Sequence, residues 1–233
     1  MSGHSKWATI KRQKGVNDAK RGAVFTKLGN QIAIAARGGA DPALNSNLAM
    51  VIEKAKAANM PVANIERAIK RVADKSAAQL EEVVYEAYGP GGVGIIIEAA
   101  TDNRNRTFPE IKTILSKNGG NIAEPGSVAF QFSRKGVIHI QDSGEDALLT
   151  ILDCGAEDAE EHDGEIIAYT EAKNLAAVSN KLKDANLKFN SAELQYVPNS
   201  QIPIAEDKQE KVLKVLELLE DHDDVLNVYT NME

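Results

Sequence analysis

Over the first 72 residues the apolar positions recur at helical spacing. Val24, Leu28 and Ile32 stand four apart with Phe25 on the same stripe, and Gly38-Gly39 ends the pattern, which predicts one helix up to that point. Asp41-Pro42 opens a predicted second helix in which Leu44, Leu48, Val51, Ile52 and Ala55 step by three and four. Pro61 suits the first turn of a third, carrying Val62, Ile65, Ile69 and Val72. Three amphipathic helices predict a small bundle. Residues 73–79 then lose apolar periodicity, which marks a linker.

Beyond residue 79 the period changes. Residues 93–98 are β-branched and follow Gly89-Pro90-Gly91-Gly92, so a strand after a glycine-rich turn is expected. Residues 107–118 read as a helix closed by Gly119-Gly120, and 127–132 alternate as a strand. A second set follows: a strand over 137–140, a helix over 144–153, two strands around Asp163-Gly164, a helix near 172–184 and a strand near 188–197. The chain closes with a strongly periodic helix over 207–219 and a strand over 225–229. The early strand-helix-strand lacks a complement, and pairing 93–132 with 200–230 supplies one. The fold expected is α+β with three domains: a basic helical bundle at 1–79, a split α+β domain from 80–134 plus 198–233, and an acidic α+β domain at 135–197 inserted within it.

With 233 residues, 43% of them hydrophobic, the chain can bury a sizeable core without staples. Its single cysteine, Cys154, can form neither an intramolecular disulfide nor a cysteine-based zinc site, which suits a reducing compartment. No run approaches the roughly 20 apolar residues of a membrane span, and a soluble cytoplasmic protein with no membrane partner is expected. The formal net charge of -7 argues against a polyanion partner until the charges are located. Residues 1–79 hold 14 Lys+Arg against 5 Asp+Glu, a local balance of +9, while 80–233 hold 13 against 29, a balance of −16. Such asymmetry suits one part meeting a polyanion while the other keeps the protein soluble; a dipolar surface without a partner is the alternative.

The basic positions cluster early. Lys6, Lys11, Arg12, Lys14, Lys20, Arg21, Lys27 and Arg37 face one acid, Asp18, and Trp7 sits among them, a combination suited to phosphates and a stacked base. The same residues also fit a basic tail with Trp7 buried against the bundle. Arg104 and Arg106, in Asp102-Asn103-Arg104-Asn105-Arg106-Thr107 between a strand and a helix, offer a second contact point. Equally, Thr107 or Asn105 caps that helix while the arginines pair with the acidic domain. The glycines of 89–94 precede a strand instead of opening a helix, and no Lys-Ser or Lys-Thr follows, which argues against a nucleotide-binding loop. His4, His139, His162 and His222 are scattered. Glu157, Asp158, Glu160, Glu161, His162, Asp163 and Glu165 could hold a divalent cation for a hydrolase, but a solvated acidic hairpin explains them as well. Cys154 reads as a packing residue. No catalytic residue, metal, cofactor or small-molecule substrate is expected.

Gly3-His4-Ser5-Lys6-Trp7, Asp18-Ala19-Lys20-Arg21-Gly22 with Phe25-Thr26-Lys27, Tyr88-Gly89-Pro90-Gly91-Gly92, residues 101–107 and Gly126-Ser127-Val128 together closely resemble the YebC/PmpR family over essentially the whole chain. The resemblance implies a three-domain α+β fold and a DNA-binding transcriptional regulator. It also implies an alternative, because a mitochondrial relative is a translational activator and bacterial members are connected with ribosomes. Where the family often has Lys after the Arg-Gly pair, this chain has Ala23, so a phosphate contact there would be missing. The resemblance carries over a nucleic-acid role for the basic N-terminal positions and, more weakly, for Arg104 and Arg106. DNA or ribosomal RNA is thus the expected partner.

Overall fold

The computed structural model describes residues 18–72, 80–162 and 164–233. Helix α1 (Asp18–Ala35) runs into a 3-10 turn, Ala36–Gly38. Helix α2 (Ser46–Ala57) starts at Asn45, whose side-chain oxygen accepts from the Leu48 N–H at 3.1 Å. The Asn45 amide also donates to the carbonyls of Ala35 and Gly39 at 2.7 and 2.8 Å. One side chain therefore satisfies orphan backbone groups at the end of one helix and the start of the next. Asp41-Pro42 does not open the helix. Asp41 Oδ1 accepts from the Ala43 N–H in a separate turn, and Leu44, expected in the apolar stripe, stands 88% exposed. Helix α3 (Val62–Arg71) follows Pro61 and buries Ile65 and Ala68, with Ile69 partly covered, while Val62 and Val72 are exposed. The buried stripe is thus rotated from the expected one, since a small alanine lets α3 approach its neighbours. Leu28, Ile32, Leu48, Ile52, Ala55, Met60 and Ile65 form the bundle's core.

Next come β1 (Glu81–Tyr88), β2 (Gly94–Thr101), α4 (Arg104–Lys117) and the short β3 (Asn121–Ile122). They are followed by β4 (Phe132–Ile140), α5 (Glu145–Asp153), β5 (Asp158–His162), β6 (Glu165–Glu171), α6 (Leu175–Asp184) and β7 (Phe189–Pro198). Helix α7 (Glu206–Glu220) and β8 (Val225–Thr230) complete the chain. The architecture is α+β, with two four-stranded sheets of order β3-β1-β2-β8 and β5-β6-β4-β7. Arg134–Tyr196 forms one compact unit, and the described residues up to Ser133 and from Val197 form the other.

In the first sheet β2 pairs antiparallel with β8, from Ile95 opposite Thr230 to Ala99 opposite Val225, as the expected closure requires. Its other neighbour was not foreseen. β1 runs antiparallel to β2 from Glu81 opposite Thr101 to Tyr88 opposite Gly94. Ile95, Ile97, Ala87 and Val228 pack against Ile111 and Leu115 of α4 and Val212, Val215, Leu216 and Leu219 of α7. Burying about this many aliphatic side chains, at roughly 1.5–3 kcal/mol each, is what holds helices and sheet together. Between β1 and β2, Gly91 and Gly92 take φ of 85° and 80°, the left-handed conformation in which glycine is unstrained.

Residues 127–132, expected as a strand, form a turn with a 3-10 segment at Ala129–Gln131, and extended backbone begins only at Phe132. The cause is Glu86, 8% exposed. Its carboxylate accepts the N–H groups of Gly126 and Val128 at 2.6 Å and Ala129 at 2.7 Å, and three amides so close in sequence can converge on one carboxylate only if the chain turns. The Tyr88 hydroxyl donates to the Ser127 carbonyl at 2.8 Å. Helix α4 also begins three residues earlier than expected, because Asn103 rather than Asn105 or Thr107 caps it.

Candidate nucleic-acid interface

Lys6, Trp7, Lys11, Arg12 and Lys14 lie outside the described residues. Lys20 and Arg21 stand in the first turn of α1. Lys27, on the same helix, donates through Nζ to the Glu220 carbonyl at the end of α7, where the negative end of the helix dipole favours a cation. Arg37 likewise donates to the Leu80 carbonyl.

Arg104 and Arg106 lie in the first turn of α4, each against acids. Arg104 Nε stands 2.6 Å from Glu81 Oε2, both side chains more than half exposed, so the pair contributes little to stability. Arg106 reaches Asp102 at 3.1 Å and Asp224 at 2.8 Å. Asp224 also holds the Thr107 hydroxyl at 2.6 Å and the Thr101 hydroxyl at 3.2 Å. Burial works to raise the Asp224 pKa, but the Thr107 and Arg106 hydrogen bonds and the Arg106 charge outweigh it, and the carboxyl sits below its ordinary value. The arginines do pair with carboxylates, but Glu81, Asp102 and Asp224 all lie outside the acidic segment 135–197 expected to supply them.

Glu110, His222 and Asp224 bring three ligand-type atoms together. Their bonding is that of a latch between α4 and the α7–β8 turn. His222 Nδ1 accepts the Asp224 N–H at 3.1 Å, which leaves the ring proton on Nε2, 2.9 Å from Glu110 Oε2. A metal ion would have to displace that proton beside the Arg106 guanidinium. The acidic residues of β5 and β6 form a hairpin, Asp163 lying outside the described residues, with Glu157 paired to Lys135 at 2.7 Å. Because β5 is an edge strand, its carboxylates oppose pairing with another chain. Cys154 is buried at the end of α5. Among the described residues no helix is long and apolar enough to cross a membrane.

A feature missed in the sequence lies between α1 and α3. A groove of about 680 Å³ is floored by Phe25, Gly29, Met60 and Ala68, walled by Asn30 and Asn64, and rimmed by Arg67, Lys70 and Arg71. Arg71 donates to the buried Asn30 side chain at 3.3 Å. Arg67, Lys70 and Arg71 form no ion pair among the described residues, and no carboxylate lines the groove. The available signal was three cations at i, i+3 and i+4 on one helix, which the apolar stripe of α3 overshadowed.

Two family models match the chain, the "TACO1/YebC protein N-terminal domain" over residues 5–75 and the "TACO1/YebC second and third domain" over 80–232. A relative from Trichlorobacter lovleyi is 47% identical over 100% of this chain and 96% of its own length, and one from Lactobacillus gasseri is 46% identical over 99% and 97%. Both are called "Probable transcriptional regulatory protein". The crystal structure of a conserved hypothetical protein from Aquifex aeolicus superimposes with a TM-score of 0.87 at 41% identity, covering 93% of this chain and 91% of that one. Similarity of this extent at both sequence and fold level establishes that the chain belongs to the TACO1/YebC family.

Proposed function

We propose that this protein is a nucleic-acid-binding regulator of gene expression, acting as a DNA-binding transcriptional regulator and not as an enzyme. The observation that carries the proposal is the separation of charge, +9 over residues 1–79 against −16 over the remainder. Lys6, Lys11, Arg12, Lys14, Lys20, Arg21 and Lys27 hold phosphates in this reading, Trp7 stacks on a base, and Arg104 and Arg106 add a second contact by exchanging acidic partners for phosphate. The names of the relatives support a regulatory role. The functional division is a basic domain at 1–79 that binds, a split domain from 80–134 plus 198–233, and an inserted acidic domain at 135–197 that repels the polyanion from the wrong side.

A second reading, a translation factor on ribosomal RNA, is favoured by the dispersal of cations. They fall on the first 27 residues, on α3 and on α4 rather than on one base-reading helix, the arrangement that shape recognition of folded RNA uses. Crosslinking the intact protein in cells and sequencing both the DNA and the RNA recovered separates the readings. Discrete promoter DNA supports transcriptional control; ribosomal RNA makes translation the primary role; recovery of neither defeats the nucleic-acid reading.

A further inference from the structure

Chemistry and charge meet in the α1–α3 groove. Its lining is apolar and partly aromatic at Phe25, Gly29, Met60 and Ala68. Its walls carry two amides, Asn30 and Asn64, whose oxygens accept from Arg71 at 3.3 Å and Arg67 at 3.4 Å and whose NH2 groups are further donors. Its rim carries Arg67, Lys70 and Arg71, in a protein whose acids outnumber its Lys and Arg by 34 to 27. The last turn of a helix does favour cations, and that alone accounts for Lys70 and Arg71 on α3. It does not account for the cleft beside them, for the lack of a carboxylate among the described residues that line it, or for the buried Asn30 holding Arg71 in place at its edge.

We propose that the α1–α3 groove binds one unstacked nucleotide of a single-stranded nucleic acid, the base against Phe25 and Met60 between Asn30 and Asn64, and the flanking phosphates on Arg67, Lys70 and Arg71. The inference rests on the nucleic-acid reading above and deepens it. Amide groups suit the hydrogen-bonding edge of a base, an aromatic and a thioether suit its face, and cations suit its phosphates. A volume of about 680 Å³ is that of a small-molecule site and admits a nucleotide, which a single strand presents freely and a duplex only by flipping a base out of its stack, at the cost of unstacking and unpairing it.

The test uses the full-length protein, fluorescein-labelled single-stranded oligonucleotides of uridine or thymidine, a labelled duplex of equal length, and fluorescence anisotropy over a range of salt. Gly29→Leu fills the floor without touching charge. A Cβ at this position meets only Met60 Cε, at 3.9 Å, and leucine is a better helix former than glycine; the variant's circular dichroism and melting curve check that it folds. Arg67→Gln with Lys70→Gln removes two rim charges at exposed positions. Gly29→Leu is expected to weaken single-strand binding at least fivefold, the loss of one stacked base, and to leave duplex binding and the salt slope unchanged. The double glutamine variant is expected to reduce the single-strand salt slope by about 1.4.

Single-strand binding by the parent protein that neither variant alters overturns the groove assignment and leaves the broader nucleic-acid reading standing. Absence of any binding by the parent protein overturns both. A free nucleoside monophosphate that binds as tightly as the oligonucleotide, and is lost in Gly29→Leu, overturns the assignment to a strand. Duplex affinity lost in parallel with single-strand affinity would place α3 against a double helix instead. Comparing the uridine with the thymidine oligonucleotide then separates RNA from single-stranded DNA as the source of the nucleotide.

Discussion

Replacing Glu86 by glutamine tests whether a buried carboxylate shapes the 126–131 turn. Oε1 accepts one amide, that of Gly126, and Oε2 accepts two, those of Val128 and Ala129. Glutamine keeps a single carbonyl oxygen, best used on the Val128 and Ala129 pair, and its NH2 then faces the Gly126 N–H donor to donor. A hydrogen bond to a charged group contributes about 1.5–3 kcal/mol, and neutralising the acceptor roughly halves the two that remain. A neutral side chain costs less to bury, which offsets part of the loss, so Glu86→Gln should destabilise the protein by about 2–3 kcal/mol. That is a large fraction of a typical domain's roughly 5–15 kcal/mol.

Acid supplies an independent check. Burial works to raise the Glu86 pKa, yet the three amides outweigh it and hold the carboxyl below its ordinary 4.5. A depressed folded pKa means that the stabilisation is fully present above pH 4.5 and is lost as pH falls through the folded value. Urea unfolding followed by circular dichroism should therefore show a lower midpoint for Glu86→Gln at pH 7, an unchanged slope, and a gap from the parent that narrows below pH 4.5. A change under about 0.5 kcal/mol at pH 7, within the range of ordinary surface substitutions, would refute the reasoning.

Asp224→Ala leaves the Thr107 hydroxyl and the Arg106 guanidinium without their shared partner and should cost about 2–3 kcal/mol in a chemical-denaturation measurement; its effect should also fade in acid, because the Asp224 pKa too is depressed. Gly136→Ala on β4 places a Cβ 2.4 Å from Thr170 Oγ1 and 2.9 Å from Leu175 Cβ, and should lose about 1–3 kcal/mol to overpacking; an unchanged melting temperature would show that β4 and α6 are further apart than described. Leu44→Ser should stay within about 0.5 kcal/mol of the parent, whereas a helical, core-facing Leu44 would cost several times that. Reversing Lys11, Arg12 and Lys14 to Glu should abolish polyanion binding at low salt with the thermal unfolding curve unchanged, and retained affinity would move the site away from the N-terminal segment.

The sequence by itself determined the class of fold, most of its elements and the separation of charge, because these depend on periodicity and composition alone. The stripe of Val24, Leu28 and Ile32, the helix near 207–219 and the hairpin around Gly164 all lie where the pattern put them. Pairing of 93–101 with the last strand was also legible, since an early strand without a neighbour needed a late one. Tertiary structure decided the rest. Strand β1 went unread although Tyr85 and Ala87 alternate toward the core; Glu86, on the opposite face, is buried by the 126–131 turn, and the three amides of that turn make its carboxylate tolerable. Those same contacts turned an apparent strand at 127–132 into a loop. On α4, Asn103 won the cap and drew Arg104 and Arg106 into the first turn, where the adjacent Asp102 and the sequence-distant Glu81 and Asp224 neutralise them. The α1–α3 groove is lined by residues of two helices separated by α2, so its basic rim and aromatic floor carry no shared signature in the chain. Local pattern fixes which face of an element is apolar; which polar groups end up facing one another depends on contacts between residues far apart in sequence, and that is where this protein's candidate sites are made.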